Sequence, residues 1–571
     1  MINAEGSEVT DKLPLANVFA QFYEDLYSST GNAACSHGHV CKLQPTETPF
    51  TREELRLALS KMKAGKAKDA SGIIAEMLKE ASEPLLNAIL DVFNDVFYFR
   101  SEVPAAWRKT KLVVIFKKGD PKLASNYRPI AILPVLYKLF SRMLCDRMVP
   151  FVMRQQSTDQ AAYRKGYSTE DHLLAVSLLV EKSKEYNVPV WCALVDFEKA
   201  FDSVEHDALL EVLGRQNVPA HYVDLVARLY EKQTAYVQCS CVSREFVISR
   251  GVKQGDPISA LLFIAVMQDL LDGLEQRWKR TNRRKQLEPL GLDVGADRYL
   301  TNLRFADDVV LVARSKADIT KMLAQFGEAS KRYGLKLHFG KTKLLTWDAL
   351  ADGCESVSIG GVPVVIQAET TAEQYLGRKL CFGNSCEVEL NNRIASAWAA
   401  FHVHKNELCG KNYRMVDRLR LFEAVVSPVM LYGCSAWALT KKMEDRIIIT
   451  WRRMLRYVLC LHRRRSEEWV DYMQRSTAEL ETLTSKFGAD DWVAAYRMKK
   501  FRFACRVANQ ADDRWSKVLM QWAPAGKRDP GRPLTRWCDD LNAFAGDTWQ
   551  ISASDPQWCE FAVENFAKWP K

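Results

Sequence analysis

Several things are missing from this chain. No stretch of its 571 residues is long, apolar and free of charge. The most apolar long segment, LFEAVVSPVMLYGCSAWAL (Leu421 to Leu439), contains Glu423 and Pro428, so it reads as a buried helix and not a membrane span. The opening MINAEGSEVTDKLP lacks the apolar core of a signal peptide, which argues against secretion and for a place in the nucleus and cytoplasm. Internal repeats and low-complexity tracts are absent, which excludes solenoids and fibrous classes. The 15 cysteines include no C-x-x-C pair, so free thiols in a reducing compartment are expected. One group, CSHGHVC, sets Cys35, His37, His39 and Cys41 at alternate positions. It could chelate zinc by folding back, but structural sites usually draw on two separated pairs, and a polar loop is the expected form.

What is present describes a globular protein: 47% hydrophobic residues, 26% charged and 15 tryptophans. The length calls for two to four subdomains. A net charge of +10 permits a polyanionic partner without demanding one. Residues 13 to 28 have helical apolar spacing, and Thr51 with Glu54 forms a capping box for the next helix. KLVVIFKKGD and NYRPIAILPVLYKLFSRML read as a basic strand pair followed by a helix. Asn187 to Val195 reads as a strand, with a helix from about Asp202. TAYVQCSCVSREFVISRG alternates as a hairpin, and GVKQGDP leads into the apolar helix ISALLFIAVMQDLLDGLEQ. From about Asn391 the chain reads as helical. Helices mixed with short strands and antiparallel connections make the fold class α+β.

Four Asp-Asp pairs supply an internal control. Asp490-Asp491, Asp512-Asp513 and Asp539-Asp540 lie in polar helical surroundings, where solvated faces and caps are the ordinary explanation. Asp307-Asp308 instead stands between the apolar flanks Leu303 to Ala306 and Val309 to Ala313. That suggests a β-hairpin whose tight turn carries both carboxylates at a sheet edge. Asp196 likewise ends an apolar strand just before a helix, a frequent site position, although a lone acid there also serves as a helix cap. If neighbouring strands bring Asp196 beside Asp307 and Asp308, three carboxylates surround one point. Hard divalent cations such as Mg2+ favour that donor set and share the rest of their coordination with substrate phosphates.

In this order, LVDFEKAFDSV, GVKQGDPISALLF and RFADDVVLVA resemble the palm motifs of reverse transcriptases. WRKTKLVVIFKKGDPKLASNYRPIAIL before them, and GLKLHFGKTK and QYLG after, extend the likeness. Phe305 before Ala-Asp-Asp, together with NYRPI, resembles the non-LTR (LINE-type) retrotransposon polymerases in particular. LFEAVVSPVMLYGCSAWAL and KRDPGRPLTRWCDDL are similar to that family's thumb and C-terminal region, so the resemblance runs from about residue 13 to 565.

The resemblance implies a right-hand polymerase with an antiparallel palm sheet: an N-terminal extension (1–50), fingers and palm (51–380), a helical thumb (381–470) and a helical, Trp-rich C-terminal region (471–571). It implies two Mg2+ ions, with Mn2+ able to substitute, on Asp196, Asp307 and Asp308. Phe201 would exclude a ribose 2′-hydroxyl, Lys117 and Arg128 would grip the triphosphate, and Gln254 and Gly255 would approach template or nucleotide. Lys341 would protonate departing pyrophosphate, or is an exposed turn lysine. Apart from the motif, Phe201 would pass for helix packing, Lys117 and Arg128 for solvated cations and Gln254-Gly255 for a plain turn. The chain departs from the family at Lys68 to Gly72 (usually Pro-Gly-x-Asp-Gly), at Lys253 (often Arg), at His338 (usually Asn) and at Ala504 to Gln510 (where Gly-His is usual).

Two basic runs point independently to a polynucleotide. RWKRTNRRK (Arg277 to Lys285) has six cations and no acid. WRRMLRYVLCLHRRR contributes Arg452, Arg453, Arg456, Arg463, Arg464 and Arg465, with Trp451 and Tyr457 as expected stacking partners. The expected partners are an RNA template, a DNA primer or target, deoxynucleoside triphosphates and a separate endonuclease, with no membrane. The chain is expected to be the polymerase portion of a larger or truncated element that extends a supplied primer. Two alternatives are a decayed or domesticated nucleic-acid-binding protein of the same fold and a group II intron-type enzyme.

Overall fold

The computed structural model describes residues 1–2, 7–29, 47–280, 288–348, 356–487, 491–528, 530–531 and 534–569. Its strands, in chain order, are β1 (Lys109–Phe116), β2 (Tyr127–Ile132), β3 (Trp191–Val195), β4 (Gln233–Val237), β5 (Phe246–Ile248), β6 (Leu292–Asp293), β7 (Tyr299–Leu300), β8 (Asn302–Phe305), β9 (Asp308–Ala313), β10 (Lys343–Thr346), β11 (Ser356–Ile359), β12 (Val362–Gln367), β13 (Glu373–Tyr375) and β14 (Arg378–Leu380). The Cys35/His37/His39/Cys41 group and the end of the RWKRTNRRK run lie outside the described residues. The chain divides into two compact units.

The first unit comprises Met1–Lys165, Val195–Leu287 and Lys321–Phe339. Its sheet has the order β2-β1-β4-β5, in which β1 is antiparallel to β2 and parallel to β4. The helix Lys12–Tyr27 is anchored beside β5, because the Tyr27 carbonyl accepts from the backbone N–H groups of Ser249 and Arg250 at 3.0 and 3.2 Å. The capping box forms as expected: Thr51 Oγ1 accepts from Glu54 N, and a Glu54 carboxylate oxygen from Thr51 N. Asp69, one of the departures, caps the helix Val135–Gln155 by accepting Val135 N–H at 2.8 Å, and it also holds Ser71 N and Ile73 N at 2.9 Å each. The altered loop is therefore tied down by its own acid. The helix Ser259–Trp278 buries Leu261 to Gln268 without interruption, which is why its sequence lacks a polar face.

The second unit comprises Gly166–Leu194, Glu288–Thr320 and Gly340–Lys571. Its six-stranded sheet runs β11-β12-β10-β3-β9-β8. It is not antiparallel throughout, as the resemblance implied: the β11–β12 hairpin folds back so that β12 pairs with β10 in parallel. The strand expected over Asn187 to Val195 is shortened to Trp191–Val195. Val309 to Ala313 are all buried, as their unbroken apolar run requires. The segment Leu421 to Leu439 is not one helix. It breaks into Met415–Val425, Ser427–Met430 and a short 3-10 turn at Cys434–Ala436, because Pro428 starts a new helix and Gly433 turns left-handed (φ 63°). One core joins Leu179, Cys192, Val310 and Leu345 to the C-terminal Phe501, Trp537, Trp549 and Phe566. A second core lies among the helices from Ser385 to Ala508.

Candidate active site

β8 and β9 pair as a hairpin from Asn302↔Leu311 to Phe305↔Asp308, leaving Ala306 and Asp307 as a two-residue turn. Such turns need a left-handed residue, and Ala306 supplies it at φ 58° despite its Cβ. That conformation costs an L residue roughly 1–2 kcal/mol, so the surrounding hairpin is enforcing it. Asp307 and Asp308 are exposed while the strand behind them is buried. β3 is the neighbour of β9 in the sheet, and Asp196 is the residue that directly follows β3. The Asp196 carbonyl accepts from His338 N–H at 2.8 Å, and Glu198 N–H donates to the Lys336 carbonyl at 2.9 Å. At His338 this contact is made by the backbone and not by the imidazole. Tyr375, in the QYLG motif, is buried. Its phenol is held well above the usual range by burial, then by the charge of Asp308 and by Cys192. Among the described residues no group of three or more His, Cys, Asp or Glu is drawn up as a metal site.

Lys117 and Arg128 lie at one end of the β1–β2 hairpin: Arg128 pairs with Ile115, and Lys117 N–H donates to the Asn126 carbonyl at 3.0 Å. Both side chains are exposed. Phe201 is half-buried and stacks on Phe263 with ring centres 4.3 Å apart, so one face is spent on packing. Gln254 donates from Nε2 to Asp202 Oδ2 at 3.0 Å. Gly255 is exposed with φ 104°, a conformation an L side chain rarely adopts. Beneath this loop Lys253 and Asp256 are both buried. Asp256 accepts from the Tyr137 hydroxyl at 2.6 Å and from the Ser141 hydroxyl, and burial pushes its carboxyl up. Burial lowers the Lys253 ammonium to about 8, with Asp256 resisting. Lys341 is exposed in the turn before β10.

Comparison with known proteins supplies the decisive observation. Residues 115–380 match the family model described as reverse transcriptase (RNA-dependent DNA polymerase). The chain is 33% identical over 250 residues to a putative transposon-derived protein of Caenorhabditis elegans, covering 43% of this chain and 85% of that one. This chain belongs to the non-LTR retrotransposon reverse transcriptases. It is also 26% identical over 423 residues to the Pol polyprotein of the type-1 retrotransposable element R2 of Popillia japonica, covering 71% of this chain and 54% of that one. With the RNA-directed DNA polymerase from the Drosophila melanogaster mobile element jockey it shares 23% identity over 492 residues, 80% of this chain and 50% of that one. The chain thus spans about half the length of these two longer relatives.

In this reverse transcriptase the arginine run divides in two. Arg452 pairs with Glu481 at 2.9 Å, Arg456 donates to the Ser476 and Thr477 hydroxyls, and Arg453 lies over the Trp398 ring at 5.5 Å. Trp451 is buried in the helical core and is no stacking partner; Tyr457 is exposed. Arg463, Arg464 and Arg465 are exposed in the following loop. Glu467 ties that loop together: its carbonyl accepts from Arg463 Nε, and its carboxylate from Arg464 N and the Arg475 fork. The Arg475 bond, then the Arg464 N–H, bring Glu467 down to about 2. The control acid pairs are structural where described. Asp491 caps Trp492–Ala508, Asp512 accepts from the Tyr167 hydroxyl at 2.8 Å, and Asp540 is buried against Lys500 at 2.8 Å. Sequence spacing could not find Lys500, forty residues away, nor Asp202 with its partner Tyr27.

Proposed function

We propose that this chain is an RNA-directed DNA polymerase that extends a DNA 3′ end on an RNA template, as in target-primed reverse transcription. The support is the sheet order within the matched family: the strand followed by Asp196 lies next to the hairpin that carries Asp307 and Asp308. Their carboxylates fit two Mg2+ ions by donor chemistry, being hard oxygens, two of them exposed at a turn. When bound, the ions would activate the primer 3′-hydroxyl and stabilise the leaving phosphate. The 3′-oxygen forms a bond to the α-phosphorus as the α–β phosphoanhydride bond breaks and pyrophosphate leaves. Lys117 and Arg128 offset charge on the triphosphate oxygens. Phe201 lies beneath the incoming sugar, and Gln254 and Gly255 line the nucleotide. Lys341, exposed at its turn, gives the pyrophosphate its proton. The DNA 3′ end comes from a separate endonuclease.

Primer extension on an RNA template with Mg2+ tests this reading. Wild type should synthesise DNA, and Asp196→Asn or Asp307→Asn should cost at least about a hundredfold, since an amide cannot replace a charged ligand. Wild-type rates in either variant overturn the site. An inactive wild type that still binds RNA returns the chain to a nucleic-acid-binding role.

A further inference from the structure

Asp202, one residue past Phe201, is 1% exposed. Its carboxylate is held from two directions, by the Tyr27 hydroxyl donating to Oδ1 at 2.9 Å and by Gln254 Nε2 donating to Oδ2 at 3.0 Å. Burial raises Asp202 to about 6, while the Tyr27 bond, Lys199, Arg128 and the Gln254 bond restrain the rise. An ionised carboxylate can only accept, so it draws in the Gln254 amide nitrogen and turns Oε1 the other way, presenting an acceptor. The rest of the loop is docked just as closely. Val252 N–H donates to the Phe201 carbonyl and Gly251 N–H to the Val204 carbonyl, each at 2.7 Å, and Ala131 N–H donates to the Gln254 carbonyl at 3.3 Å. A Cβ on Gly251 would fall 2.7 Å from the Asp202 carbonyl, so the approach admits no side chain. Tyr27 is the buried last residue of the helix Lys12–Tyr27.

We propose that Asp202 is a positioning residue for nucleotide selection, which orients the Gln254 amide toward the incoming nucleotide and, through Tyr27, makes the N-terminal helix part of that pocket. This rests on the polymerase reading, and in particular on Gln254 as a nucleotide contact. Asp202 touches no substrate; its effect passes through Gln254. It should therefore appear in affinity for the nucleotide and hardly in the chemical step.

Steady-state primer extension on wild type, Asp202→Asn, Tyr27→Phe, Gln254→Ala and the Asp202→Asn/Gln254→Ala double variant decides it. Loss of an oriented hydrogen bond should raise KM for the deoxynucleotide about tenfold in Asp202→Asn and in Gln254→Ala, with kcat within about twofold. The double variant should be no worse than Gln254→Ala alone, because the two act as one unit. Tyr27→Phe keeps the ring and should raise KM by about threefold. Additive effects in the double variant overturn the coupling, and so does an unchanged KM in Asp202→Asn melting like wild type. If Asp202→Asn fails to fold, an unchanged KM in Tyr27→Phe overturns it instead. A wild type that incorporates no nucleotide overturns the polymerase reading itself, which is a different failure.

Discussion

Phe201 has one ring face committed to Phe263 and remains half-exposed. A side chain so divided is rigid, because the stacked ring cannot swing aside without losing its packing, and rigidity is what steric exclusion of a 2′-hydroxyl needs. Phe201→Ala should admit ribonucleotides while deoxynucleotide addition persists, raising the ribo-to-deoxy incorporation ratio by at least about tenfold. An unaltered ratio would leave the residue as packing alone. At this scale the letters were a poor guide to partners. Asp307 and Asp308 stood out by their apolar flanks. Asp202 did not, because its meaning lies in a hydroxyl 175 residues away.

Among the elements, the helix Lys441–Val458 and the loop after it separate two kinds of arginine. Arg452 and Arg456 are spent on Glu481, Ser476 and Thr477. The exposed loop presents Arg463 to Arg465, with Arg463 Nε and the Arg464 N–H both held by Glu467, so less freedom would be lost on binding a phosphate. Changing all three to Ala should weaken RNA binding and reduce its salt slope by up to about 2, at roughly 0.7 per single-strand phosphate contact. An unchanged slope would return the loop to a solvated face. The helix Thr169–Glu185 has a different sensitivity. Burial raises Glu181 from 4.5 to about 7, although the Trp537 N–H, Lys182 and Lys500 pull it down. The fold therefore favours the protonated acid; its contribution is complete below about pH 4.5 and lost as pH rises through about 7. Tm should fall between pH 5.5 and 8, and Glu181→Gln, which still accepts the Trp537 N–H, should reduce that fall. Asp202 contributes to the same slope, so some should remain. Equal slopes in the two proteins would show Glu181 ionised throughout.

On the scale of the whole chain, the C-terminal acids raise the question of a second chemistry. Lys500 meets Asp540 as a nuclease site would require, yet both are buried, with Trp537 beside Lys500 and the Tyr496 hydroxyl accepting from it at 3.4 Å. That is a cross-link between the helices Trp492–Ala508 and Asp539–Ala545. Incubation with supercoiled plasmid and Mg2+ should give no nicking. Nicking lost in Asp539→Ala and kept in Asp307→Asn would reveal a second active site.

The order of motifs, the strand-turn-strand around Asp307, the capping box at Thr51 and the helical C-terminal half were all legible in the letters. Each depends on neighbours within a few residues, through hydrophobic period, cap chemistry or turn length. Local pattern could not say that β12 would run parallel to β10, that Trp451 would face inward, or that Leu421 to Leu439 would break at Pro428 and Gly433. Nor could it join Phe501, Trp537 and Phe566 to the core of the sheet that carries Asp307. Composition and spacing determine which segments must hide and which acids are costly to hide. Which distant segment covers them depends on shape complementarity and on pairing buried donors with acceptors across hundreds of residues, and only the tertiary structure decided that.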